Sequence, residues 1–77
     1  MLEIRFQQDG LIESGLHEGY YVKFHDDTDV TGGYYILLVN HLEKPTDGGD
    51  YWMLDLQELE SFAEAARWKI RWLVCGT

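Results

Sequence analysis

Cysteine is nearly missing from this sequence, with Cys75 the only one in 77 residues. A single thiol cannot close an internal disulfide, so the fold must rest on a core, and nothing in the chain points to an oxidising compartment. Positive charge is also scarce: six Lys and Arg stand against fourteen Asp and Glu, a formal net charge of -8. Such a field repels phosphate backbones and anionic head groups, which argues against nucleic-acid and membrane binding. It suits a basic protein partner, or serves solubility alone. No apolar run approaches the roughly 20 residues of a membrane span. The alternating start Met1-Leu2-Glu3-Ile4-Arg5-Phe6 lacks the basic, apolar and small-residue order of a signal peptide, so the expected location is cytoplasmic. Proline occurs once, at Pro45, and punctuates a single loop.

What is present is hydrophobic substance, 45% of the residues, of which aromatics make 14% of the chain. That is enough for one folded domain over residues 1–77 and too little chain for two cores. The organising stretch is Gly19 to His41. Tyr20, Tyr21, Val22 and Phe24 face Tyr34 to Val39 across Asp26, Asp27, Asp29 and the pair Gly32-Gly33, which reads as a β-hairpin with an acidic, glycine-closed turn. Residues 34, 36 and 38 point to one face of the second strand and 35, 37 and 39 to the other, and all six are apolar or aromatic. Both faces of this strand call for cover, which places it inside its sheet.

Leu2, Ile4 and Phe6 alternate with polar residues and predict a first strand. Leu11, Ile12 and Leu16, between the breaks Asp9-Gly10 and Ser14-Gly15, fit an edge strand or a packed loop. Glu43 to Asp50 reads as a loop, followed by a brief strand at Tyr51 to Leu54. Asp55 is a good N-cap with Glu58 three residues on, opening a helix from about Leu56 to Arg67 whose buried stripe is Leu56, Leu59, Phe62, Ala63 and Ala66. Trp68, Ile70, Trp72 and Val74 alternate as a closing strand. The expected fold is therefore α+β, a two-layer arrangement of a mostly antiparallel sheet of about four strands with one helix packed on one face. One helix cannot cover both faces, so a loop, a second copy of the chain or a partner must lie on the other.

Chemical motifs are few. Asp27-x-Asp29-x-Thr31-Gly32 matches the opening of a calcium loop, but its twelfth position is Leu38 and turn chemistry explains it better. His17, His25 and His41 lack metal-ligand spacing, Cys75 has no nucleophile elbow or oxyanion loop around it, and no phosphate-binding glycine motif occurs. The sequence thus predicts no enzyme, no metal and no cofactor. The remaining signal is a set of loop carboxylates, Asp26, Asp27, Asp29, Asp47 and Asp50, followed by Tyr51 and Trp52. Aromatic anchors with steering carboxylates are the chemistry of a protein-binding surface.

The runs G-Y-Y-V-x-F-x-D-D from Gly19, T-G-G-Y-Y-I-L from Thr31, D-Y-W from Asp50 and L-E-x-F-x-E-x-x-x-W-x-I-x-W-L from Leu59 to Leu73 resemble small immunity proteins. These are encoded beside polymorphic or contact-dependent bacterial toxins. The resemblance implies an inhibitor that binds and neutralises a cognate toxin domain in the cytoplasm of the producing cell; the lack of catalytic parts makes it non-enzymatic, and the acidity suits a basic toxin, such as a nuclease. The competing reading is a homo-oligomeric interaction module whose copies cover each other's sheet faces.

Overall fold

The structure, a computed structural model, describes residues 4–73. Five strands and one helix follow in the order β1 (Asp9–Ser14), β2 (Tyr21–Asp27), β3 (Gly33–Val39), β4 (Gly48–Met53), α1 (Leu56–Ala65) and β5 (Lys69–Trp72). They form one open sheet ordered β4-β3-β2-β1-β5, antiparallel at every junction. The expected α+β architecture holds, with five strands in place of about four.

The hairpin is β2 and β3, paired without a break from Tyr21↔Val39 to Asp27↔Gly33. Its turn closes through Asp27, whose carbonyl accepts from the amides of Val30 and Thr31 at 3.1 and 2.9 Å. As expected, β3 lies inside the sheet, between β2 and β4.

Three expectations are corrected. Of the strand expected over Leu2 to Phe6, residues 1–3 lie outside the described residues, Ile4 and Arg5 belong to no strand, and Phe6 makes one isolated parallel bridge to Phe24. Leu11 and Ile12 sit on β1, which is no edge but lies between β2 and β5, and Leu16 belongs to the following turn. The loop expected up to Asp50 ends earlier, because Gly48 and Gly49 pair with Val39 and Leu38 as the start of β4. Val74 of the expected closing strand lies outside the described residues, as does Cys75.

The core lies on one face, where Ile12, Val22, Phe24, Ile36 and Leu38 of the sheet meet Leu59, Ala63 and Trp68. The helix crosses β3 and β4. The β1 and β2 half is covered by aromatic rings instead, with Phe24 5.8 Å from Trp72 and 6.3 Å from Trp68 between ring centres. The Asp55 carboxylate accepts from the Glu58 amide at 2.8 Å, and the Glu58 carboxylate reaches back to accept from the Leu54 amide at 2.8 Å, so the cap satisfies one orphan donor of the first turn of α1 and ties the chain just before it. The helix stops at Ala65, two residues before its expected end, because Arg67 turns into left-handed backbone at φ 57°. Of the expected stripe, Leu59 and Ala63 are buried and Phe62 and Ala66 half-buried, but Leu56 is 43% exposed at the start of the helix. The turn at 15–19 docks on the helix end, with the Leu16 amide donating to Ala66 O at 2.9 Å and the Trp68 indole to Leu16 O at 2.6 Å.

Candidate functional site

The other face of the sheet carries no helix or strand among the described residues. Register puts Leu11, Tyr21, Lys23, His25, Tyr35, Leu37, Val39, Asp50 and Trp52 on it. Most are half-buried, while Leu37 is 37% and Trp52 42% exposed. Leu42, from the 40–47 loop, shares a groove of about 250 Å³ with Tyr21, Leu37 and Val39. A loop therefore leans over one end of this face and leaves the rest open to solvent.

Against this frame the seven residues singled out in the sequence fall into different places. Asp26, Asp27 and Asp29 gather at the β2–β3 turn. The Asp26 carboxylate accepts from the Thr28 amide and hydroxyl at 3.0 and 2.7 Å, and these bonds hold its pKa below the usual 3.8. It is a turn-maker before it is anything else. Asp27 lies 3.3 Å from His25 Nε2, and the other ring nitrogen of His25 meets the Gln7 amide. Asp29 is exposed at the tip. Trp52 joins this end: its ring lies over Gly33 and its indole N–H donates to Thr31 Oγ1 at 2.9 Å.

Asp47 stands at the opposite end of β4, seven residues along the ladder and so roughly 20 Å away at the strand rise. Asn40 fixes it there. The Asn40 side-chain oxygen accepts from the Thr46 and Asp47 amides at 3.0 and 3.1 Å, and the Asp47 carboxylate accepts from the Tyr20 hydroxyl. Asp50 is exposed between the two ends. Tyr51 does not join the open face. It is half-buried on the helix side, 4.8 Å from the Phe62 ring. The acidic loops thus make no single patch; β4 links two acidic ends, with Trp52 and Asp50 along it.

Sequence reading passed over two features. Arg67, Lys69 and Arg71, half of the cations, all sit on or beside β5, whereas the one charged residue of β4 at the opposite edge is Asp50, with Asp47 just before it, and the helix that follows adds Glu58, Glu60 and Glu64. The sheet is therefore polarised from a basic edge to an acidic one. The other is the tie between Tyr20 and Asp47, two residues 27 apart in the chain. Only the alternation of residues 35, 37 and 39 announced the open face.

The hydrogen bond to Asp47, with the carboxylate's charge, raises the Tyr20 pKa above 10.0. Because the folded value exceeds the unfolded one, the contribution is fully present below pH 10 and is lost as pH rises through the folded value. The expected result is that Tyr20→Phe lowers stability at pH 8 but changes it less at pH 11, measured by urea unfolding. Equal effects at both values would refute the tie.

Among the described residues no three His, Cys, Asp or Glu side chains converge to hold a metal, and no buried side-chain polar atom lacks a partner. No helix there is long and apolar enough to cross a membrane. No known family model, curated protein or solved structure matches the chain at a significant level.

Proposed function

We propose that this chain is a non-enzymatic inhibitor of the immunity-protein type, which acts in the cytoplasm by binding a basic toxin domain along its acidic β4 edge and blocking it by occupancy. The observation that supports this most is the charge polarity of the sheet. A basic partner approaching the molecule is drawn toward Asp27, Asp29, Asp47 and Asp50 and away from Arg67, Lys69 and Arg71. Trp52, 42% exposed toward the hairpin-turn end of that edge, is the anchor type that such surfaces favour. The edge is also open for strand addition, since among the described residues β4 pairs on one side only.

The test is co-expression with the product of the gene immediately upstream. The upstream product alone should arrest growth, this chain should restore it, and the two should purify as a stoichiometric complex. An upstream product that is harmless, or toxic with no rescue, would overturn the proposal. A second reading is favoured by the half-exposed Tyr21, Tyr35, Leu37 and Val39 of the open face, which a second copy would cover. Light scattering decides it: a tight dimer disrupted by Leu37→Lys supports the module, and a monomer removes it.

A further inference from the structure

On the helix side of the sheet, α1 covers β4 only toward Tyr51 and Met53. The start of β4 is left beside a cavity of about 360 Å³, walled by His17, Tyr20 and Tyr51, with the Asp47 carboxylate at its rim and Leu38 and Gly49 beneath. Each wall is held in place. His17 sits in left-handed backbone at φ 61° within the β1–β2 turn, with its ring 5.6 Å from that of Tyr20 and its Nε2 3.5 Å from the Tyr51 hydroxyl. Tyr51 is backed by Phe62, and the Tyr20 hydroxyl is anchored on Asp47. Gly49 leaves the floor bare: a Cβ built there meets nothing within 4 Å.

We infer that this cavity is a receptor for a guanidinium group, an arginine side chain being its natural occupant. Aromatic faces attract cations through the ring quadrupole, and guanidinium, planar and weakly hydrated, leaves water for such walls more readily than ammonium does. The Asp47 carboxylate keeps acceptor capacity beyond its one bond to Tyr20 and supplies the charge-assisted partner. The fold has no use of its own for the space, since Gly49 could carry a side chain there without a clash. That the arginine belongs to a protein partner rests on the proposed function; the chemistry of the cavity does not.

The experiment is a 1H–15N NMR titration of the whole chain with Nα-acetyl-arginine methylamide, run beside the uncharged citrulline and the lysine analogues. Saturable shifts should centre on His17, Tyr20, Gly49 and Tyr51, be absent with citrulline, and be weaker with lysine. Gly49→Val, which fills the cavity from an unstrained strand position, and Asp47→Asn, which keeps the acceptor for Tyr20 but removes the charge, should each weaken binding about tenfold. Absence of saturable shifts, or shifts unaltered in both variants, overturns the inference, and an equal response to lysine overturns the guanidinium assignment. The titration needs no toxin, so failed rescue with a successful titration removes the proposed function and leaves the receptor standing, and the converse removes the receptor alone.

Discussion

Phe24→Ala is expected to cost about 3–5 kcal/mol, the range for emptying a buried phenylalanine site. Phe24 is 0% exposed on β2, the middle strand, paired with Ile36 and roofed by Trp68 and Trp72. Those two indoles come from the segment after the helix, so they cannot follow the shortened side chain down without moving β5 or the helix end. At about 0.05–0.15 kcal/mol per residue, a chain of 77 residues holds only about 4–12 kcal/mol in all. The variant should therefore lose most of its margin and unfold at a urea concentration about 3–5 M lower, or be unfolded without urea, given a slope near 1 kcal/mol/M for so small a protein. Leu37→Ser, on the open face, is the contrast, with an effect within about 0.5 kcal/mol. A loss below about 1 kcal/mol at Phe24 would mean that the aromatic roof is not the core it looks to be.

That roof also shows where the sequence could be read and where it could not. The hairpin was legible because β-branched and aromatic runs flank a turn of Asp and Gly, and the helix because Asp55 and Glu58 precede an apolar stripe. Both signals are local. The misplacing of β1 and of the start of β4 came from glycines taken as punctuation that serve as close-approach sites. Gly10 lies inside β1, where an added Cβ would stand 2.5 Å from Ile70 Cγ2 and 3.0 Å from the Trp72 ring, so its missing side chain lets Trp72 reach across β1 to Phe24. Gly33 does the same beneath Trp52, and Gly48 where β4 meets the Leu38 carbonyl. A glycine that makes room for a neighbour sixty residues away looks the same in sequence as one that turns the chain. The candidate site was legible to the same extent. The carboxylates were visible as residues, but that Asp26 is consumed by its own turn, that Asp47 is tied to Tyr20 and that Tyr51 faces Phe62 are properties of pairing register and long-range contact. The same holds for the basic edge, which exists only because β5 returns to lie beside β1.

The polarity of the sheet yields the sharpest expectation about binding. Asp27, Asp29 and Asp50 changed together to Asn move the net charge from -8 to -8 + 3 = -5, and Arg67, Lys69 and Arg71 changed together to Gln move it to -8 - 3 = -11. Asp26 is left intact so that the Thr28 bonds keep the turn. If only net charge governed encounter with a basic partner, the two triples would shift the association rate by similar factors in opposite directions. If the partner docks along β4, the acidic triple should slow association about 10- to 100-fold at low salt and flatten its salt dependence, because its charges lie within a Debye length of the contact. The basic triple, a sheet's width away, should change it far less. Stopped-flow association with the proposed basic partner at low and high salt separates the two. Urea unfolding of both variants should stay close to the parent, since the substituted groups make only weak ion pairs, such as Arg71 with Glu13 at 3.7 Å and Asp27, the least exposed of them at 17%, with His25 at 3.3 Å. Symmetric rate changes would move the docking site off β4, and an acidic triple that associates at the parental rate would mean that the partner is not recruited by charge at all.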